Sequence, residues 1–385
     1  MNFIIYIFFI KITLRYSYLT NAHYHTSIKL DNGNFIIFSC DGQFTLDPTF
    51  RILYNSSTSV SGSDSYDIVK QFSKDDEGYI LYRTNSYHYI LDSYGKLIDK
   101  KSISDNKYNN VYSVVPYNHT RDKIYYYLIF YNSPNINFKK YSYNFTNKNY
   151  LEENLYFGSY DIQSLITCQL MKYLNEKVIS CFFLKYLNNK YYLNCTVFEL
   201  EKKLEAILTS EIAIEATSIY RLGSEVIPNN ERKKALIILS ITYQNIICLF
   251  YVGYDIHINN FTSYGYLIKN SCTLYSEYDY YFSISYFKET EEFIVSALNQ
   301  CTFNKTTQYE YLIYSFDNNF KLSFFGIMGD LVLGDTCCKT KAFNIVSNNL
   351  HSIFLSSVAY KYCIILNLNT TKIMSSFILN KSSYS

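Results

Sequence analysis

Large apolar side chains alternate with polar or smaller ones along most of this chain, most clearly over residues 309–325 (YEYLIYSFDNNFKLSFF). The alternation breaks at Asp317-Asn318-Asn319 and resumes through Phe320 and Leu322. A period of two on both sides of an Asp/Asn turn predicts a β-hairpin with one buried face.

This hairpin belongs to a unit that occurs seven times between residues 25 and 380. Each unit contains a mixed strand, a strongly apolar strand, an alternating aromatic strand and a short closing strand. The spacing of about fifty residues matches the ~40–50 residues of a four-stranded propeller blade. The turns between the third and fourth predicted strands fall near Asp47, Tyr94, Asn147, Glu201, Tyr254, Asp317 and Asn367.

The repeat predicts an all-β chain folded as a single seven-bladed β-propeller over residues 23–385, with four antiparallel strands per blade. The blade pattern resembles the β-propeller superfamily but no family within it. The chain has no Trp for WD repeats or sialidase Asp boxes, and its 12 Gly are too few for kelch units. A pair of β-sandwiches is the alternative, and the even spacing disfavours it.

The repeat also predicts the bounds of two closing strands and one insertion in the middle of the chain. The closing strands of the fourth and fifth units are predicted at residues 202–208 and 255–259. A long insertion is predicted at residues 223–232, between the first and second strands of the fifth unit.

Composition supports the β assignment and provides no electrostatic argument for a polyanionic partner. The chain has 44 Tyr and 28 Phe, which favour pleated, half-buried surfaces. Its 35 basic and 33 acidic residues leave a net charge of +2. This balance gives no electrostatic case for nucleic acid or an anionic membrane surface.

The N-terminal segment predicts export. Residues 3–10 are continuously apolar, and Thr20-Asn21-Ala22 offers a small-x-small cleavage site, so a signal peptide is predicted over residues 1–22. The expected compartment is secreted or extracellular. An outer strand is the alternative, because residues 11–18 also alternate.

Residues 235–254 compete as a membrane span, since twenty uncharged residues can cross a bilayer. Gln244-Asn245 lies at their centre, where polar groups are costly in lipid. Two strands joined at that turn are therefore predicted, and no membrane span.

Ten cysteines without a C-x-x-C motif predict no metal site. In an exported chain some should form disulfides. Register places Cys181 opposite Cys168 across one predicted turn and opposite Cys195 across the next, so only one of the two bonds can form. Four further candidates fall in predicted loops on one face around unit six, where we expect the ligand to bind: Cys272, Cys301, Cys337 and Cys338.

Eight N-x-S/T sequons are candidate glycosylation sites. They are Asn55, Asn118, Asn144, Asn194, Asn260, Asn304, Asn369 and Asn380.

No motif for catalysis, phosphate binding or a cofactor is present, so we predict no catalytic residue and no cofactor. The predicted first strands carry mainly Ser, Thr, Tyr and aliphatic residues, and Asp67, Lys70 and Arg221 are their only notable charges. The favoured function is recognition of a protein or glycan through one propeller face. The alternative is a hydrolase or lyase with its active site in the central channel.

Overall fold

The computed structural model describes residues 26–30, 34–39, 42–47, 51–56, 68–72, 79–83, 87–102, 111–120, 122–132, 135–159, 163–200, 204–228, 232–244, 246–267, 282–287, 290–303, 306–328, 346–348, 352–357, 362–367 and 372–378. All regular elements in these residues are β-strands. They form seven four-stranded antiparallel sheets, each built from four consecutive strands, and we number these sheets as blades in chain order.

The strands are numbered in chain order, four to a blade. Blades one to four contain β1 Thr26–Lys29, β2 Phe35–Ser39, β3 Gly42–Leu46, β4 Ile52–Ser56, β5 Ile68–Phe72, β6 Tyr79–Arg83, β7 Tyr87–Leu91, β8 Leu97–Ser102, β9 Val111–His119, β10 Lys123–Asn132, β11 Asn135–Asn144, β12 Asn149–Ser159, β13 Gln163–Tyr173, β14 Glu176–Leu187, β15 Lys190–Glu199 and β16 Ala206–Ile214. Blades five to seven contain β17 Ser218–Val226, β18 Lys234–Tyr243, β19 Ile246–Asp255, β20 Asn260–Leu267, β21 Phe282–Phe287, β22 Glu292–Phe303, β23 Thr306–Phe316, β24 Leu322–Met328, β25 Val346–Asn348, β26 Ser352–Ser357, β27 Tyr362–Asn367 and β28 Lys372–Ile378.

The first strands of the blades lie side by side at the centre of the molecule. Contacts run from β1 through β5, β9, β13 and β17 to β21, and β25 contacts β1. Hydrophobic clusters lie between consecutive blades from one to six. The predicted all-β propeller architecture is therefore confirmed. The count of seven blades stays a prediction, because the connections at 268–281 and 329–345 lie outside the described residues.

The second strand of a blade is buried on both faces because a neighbouring blade packs on each side. Residues 178–184 of β14 and 235–241 of β18 are all buried, which explains their nearly continuous apolar sequence. The uncharged segment 235–254 forms β18 and β19, as predicted, and Gln244 adopts a positive φ of 49° in the turn between them. None of the described residues forms a helix with the length and hydrophobicity of a membrane span.

An aspartate caps the turn between the third and fourth strands in blades two and six. The side-chain Oδ1 of Asp317 accepts the backbone N–H groups of Asn319 and Lys321 at 2.8 and 2.9 Å. Asp92 caps the corresponding turn of blade two in the same way. Such local bonds favour turns over continued strand, so these aspartates end the third strand.

The same turns reach back to the preceding blade. Phe320 in the turn of blade six is 2% exposed with a φ of 62°, and its ring lies where a methyl group on Gly253 of blade five would be. Leu204 in blade four has a φ of 54°, is fully buried, and joins the cluster between blades three and four. A left-handed turn residue thus anchors one blade to the next.

Three predicted boundaries are wrong. The fourth strand of blade four is residues 206–214 rather than 202–208, and that of blade five is 260–267 rather than 255–259. Residues 256–259 form a turn instead, in which Asp255 Oδ1 accepts the N–H of His257 at 2.9 Å. The first strand of blade five extends to Val226 and shortens the predicted insertion. Fourth strands lie at the outer edge, where half-exposed side chains give weak apolar patterning.

The predicted opposition of Cys181 and Cys195 is wrong by one residue. The turn between β14 and β15 consists of Asn188 and Asn189, both with positive φ (50° and 61°). Leu187 therefore pairs with Lys190, and Cys181 faces Thr196. A one-residue shift moves a side chain to the other face of the sheet, so Cys195 points away from Cys181.

Candidate functional site

Polar side chains of the central strands form hydrogen bonds between blades. Ser113 Oγ of blade three donates to the carbonyl of Cys168 in blade four at 3.1 Å and accepts its N–H at 3.2 Å. Thr167 Oγ1 lies 2.9 Å from Ser224 Oγ in blade five, and Gln169 Nε2 donates to Ser224 O at 2.7 Å. These hydroxyl and amide groups therefore connect blades three, four and five.

The charged residues predicted on the central strands do not form a catalytic cluster within the described part of the chain. Arg221 lies in β17 with its guanidinium carbon 5.4 Å from the ring centroid of Phe282 in blade six. Lys70 lies in β5, and Asp67 lies outside the described residues. Within the described part of the chain, no three His, Cys, Asp or Glu residues are grouped to hold a metal ion.

A second candidate site lies on one face of blades four and five. We call face B the face formed by loops between second and third strands and by connections between blades; face A carries the other loops. Five tyrosines lie at the face-B ends of these strands, and we call them the tyrosine rim: Tyr186, Tyr191, Tyr220, Tyr243 and Tyr266.

The rim tyrosines contact one another within each blade. Tyr186 and Tyr191 are directly paired across β14 and β15, with ring centroids 4.7 Å apart. Tyr243 and Tyr266 stack with centroids 4.2 Å apart. The hydrophobic cluster between blades four and five connects the two pairs, because Tyr191, Tyr243 and Tyr266 all pack against it.

Hydrogen bonds hold the rim in position. The Tyr266 hydroxyl donates to the carbonyl of Glu215, in the connection between blades four and five, at 3.1 Å. The Tyr220 hydroxyl lies 2.9 Å from Thr242 Oγ1. The rings of Tyr220 and Tyr266 therefore have their polar ends fixed and little freedom to lose on binding.

Two of the rim hydroxyls, those of Tyr191 and Tyr266, have a raised pKa and are neutral at physiological pH. The pKa of Tyr266 is raised to about 12, mainly by burial and to a lesser extent by charge repulsion from Glu215, Tyr243 and Cys248, while the hydrogen bond to the Glu215 backbone opposes this rise. Burial likewise raises the pKa of Tyr191. Neutral tyrosines combine an apolar ring with a hydrogen-bonding tip, a combination enriched at protein interfaces.

Exposed apolar side chains extend the rim on face B. Leu187 is 43% exposed beside Tyr186, itself 42% exposed, and Ile246 of the next blade is 37% exposed. Face A also exposes Leu174 and Ile258, at the turns of the same two blades. Only the face-B residues flank the tyrosine rim.

The disulfide candidates divide between described and undescribed residues. A disulfide joins Cys168 to Cys181, whose Cα atoms are 4.1 Å apart, while Cys195 and Cys248 are free and buried. Cys301 lies within β22 and pairs with Gln308, so its predicted loop position is wrong: strand pairing continues beyond the apolar alternation. Three candidates lie outside the described residues: Cys272, Cys337 and Cys338.

Five candidate glycosylation sites lie in described strands. Asn118, Asn144 and Asn260 lie at strand ends, whereas Asn194 is in the middle of β15 and 6% exposed. Asn55 lies in β4. The other three sites, Asn304, Asn369 and Asn380, lie outside the described residues.

Known structures with β-propeller folds are similar to this chain at low identity. Hsv2 of Kluyveromyces lactis matches with 8% identity and a TM-score of 0.46, over 91% of this chain and 97% of that one. The WD40 domain of SCAP from fission yeast matches with 8% identity and a TM-score of 0.42, over 86% and 89%. The Cps50 (Swd1) β-propeller domain of Myceliophteria thermophila matches with 7% identity and a TM-score of 0.43, over 82% and 90%. No family model and no curated protein matches the chain.

The tyrosine rim was not predicted from the sequence. Its signal is present in two segments, KYLNNKYY at 185–192 and TYQNI at 242–246, in each of which a tyrosine precedes a polar turn. The chain has so many tyrosines that this spacing stands out only when the two turns are known to lie on the same face of neighbouring blades.

Proposed function

We propose that this chain is an exported recognition module that binds a protein partner through face B of blades four and five. The observation that carries the proposal is the tyrosine rim with Leu187 and Ile246 beside it. Tyrosines fixed by packing and hydrogen bonds, next to exposed apolar side chains, have the composition of binding hot spots.

Two further observations support this proposal: one speaks against an active site in the central channel, and the other speaks for export. Described hydroxyl and amide groups of the central strands bond to neighbouring blades, which gives them a structural role. The bond between Cys168 and Cys181 fits an oxidising compartment, in which disulfides persist.

A binding screen with matched surface variants tests the proposal. The full chain, secreted from a eukaryotic host, is screened against an extracellular protein library and a glycan array. Binding to each hit is then measured with the double variant Leu187→Ser/Ile246→Ser. The control is Leu174→Ser/Ile258→Ser, which makes the same chemical change on face A of the same blades.

The expected result is a protein ligand whose affinity falls at least tenfold in the face-B variant and less than twofold in the control. Each variant is first checked for a wild-type melting temperature and circular dichroism spectrum. Equal losses in both variants, or hits confined to glycans, would contradict the proposal.

A further inference from the structure

The sequons of blades three to five lie on face A or inside a sheet, whereas Asn55 of blade one lies near the face-B end of β4. Asn118 at the end of β9, Asn144 at the end of β11 and Asn260 at the start of β20 all lie beside face-A turns. Asn118 and Asn260 are exposed, and Asn144 is half-buried beside the exposed Thr146. The tyrosine rim lies on the opposite face.

The sequon at Asn194 differs from these three. Its three residues are 6%, 0% and 2% exposed, and it lies in the middle of the third strand of blade four. The side-chain Nδ2 of Asn194 donates to the carbonyl of Tyr192 at 3.4 Å. A sugar attached there has no space, since protein interiors are close-packed.

We propose that N-linked glycans on Asn118, Asn144 and Asn260 cover face A of blades three to five and leave face B of blades four and five open to the partner, with Asn194 unmodified. This rests on the export that forms part of the proposed function. Glycans are bulky and hydrated, so a face that carries three of them is unsuited to a close protein contact. The positions of these three sequons therefore explain how blades four and five present face B to a partner.

The modification needs a lipid-diphosphate oligosaccharide, the donor class of the secretory pathway. The asparagine Nδ2 forms a bond to C1 of the first sugar, the bond from C1 to the phosphate oxygen breaks, and the lipid diphosphate leaves while the amide nitrogen loses one proton. Attachment at Asn194 during synthesis would prevent β15 from packing, so the folded product carries none there.

Site occupancy in the secreted full-length protein tests this directly. Peptide-N-glycosidase F in heavy-oxygen water converts each occupied asparagine to a mass-labelled aspartate, which is read by peptide mass spectrometry. Three single variants each remove one sequon: Asn118→Gln, Thr146→Ala and Thr262→Ala. The threonine variants leave the asparagines in place, including Asn144, whose Oδ1 accepts the N–H of Thr146 at 2.9 Å. Ser263→Ala is the control outside any sequon.

The expected result is label at all three face-A sites, none at Asn194, and loss of one glycan mass in each sequon variant but not in the control. Label at Asn194 in folded protein, or no label at the face-A sites, would overturn the proposal. A protein without these glycans that still loses its partner in the Leu187→Ser/Ile246→Ser variant would refute this inference alone. A glycosylated protein whose binding ignores that variant would refute the proposed surface alone.

Discussion

Replacing Phe320 with alanine tests whether the third-to-fourth turn anchors one blade to the preceding one. Phe320 is 2% exposed and lies in the cluster between blades five and six. Truncating a buried phenylalanine costs about 3–5 kcal/mol, from the lost burial and the cavity that remains. Phenylalanine and alanine both carry a Cβ, so the strain of holding residue 320 at a φ of 62° is the same in both proteins and the measured loss reports the ring.

The partner position gives a second, coupled perturbation. A methyl group on Gly253 would collide with the Phe320 ring, so Gly253→Ala alone should cost about 1–3 kcal/mol through overpacking. In the double variant the new methyl group occupies space that the ring has left. The stability losses of the two single variants should therefore add up to at least about 1 kcal/mol more than the loss of the double variant.

The measurement is urea denaturation followed by far-ultraviolet circular dichroism for the wild type, both single variants and the double variant. Leu322→Ala is the control, because Leu322 follows the same turn but is 39% exposed; its loss should stay below about 1 kcal/mol. A stability loss for Phe320→Ala no larger than that of the control, or additive losses at Phe320 and Gly253, would show that the turn does not anchor blade six to blade five.

Three further predictions follow from the central strands, the disulfide and the buried tyrosines. Ser224→Ala should lower the unfolding free energy by about 1 kcal/mol in the same denaturation assay, because the side-chain hydrogen bonds to blade four are lost. Partner affinity should stay unchanged, and a change in affinity would place the partner at the central channel. Non-reducing peptide mapping should recover Cys168 linked to Cys181, and a free thiol at either would contradict the structure. Burial raises the pKa of Tyr127 and Tyr266 to about 12, so the folded state holds protons that the unfolded state releases from about pH 10. Stability should therefore be unaffected below pH 10 and fall as the pH rises toward 12. An absorbance titration at 295 nm in which every tyrosine ionises near pH 10 would refute the burial.

The architecture could be predicted from the sequence because burial and period coincide in the inner strands. Every residue of 235–241 is buried between two blades, so β18 is visible as an apolar run, and the Gln244 turn marks its end. Aspartates such as Asp317 mark the third-to-fourth turns through their own hydrogen bonds.

The closing strands and the binding face were harder to predict for physical reasons. In β16 exposed residues alternate with half-buried ones, so sequence pattern fixes its position poorly, and the two-residue turn at 188–189 shifts the cysteine register by one. The tyrosine rim depends on which turns of different blades share a face. That is a property of strand direction and inter-blade packing, which local sequence does not contain.

Hydrogen exchange of the chain with and without its partner tests the proposed binding surface most directly. The account predicts slowed backbone exchange on binding at the face-B turns, residues 186–191 and 243–246, and at the connection 214–218. Exchange at the face-A turns of the same blades, residues 173–176 and 256–259, should be unchanged. Protection of the face-A turns with no change at residues 186–191 and 243–246 would contradict it.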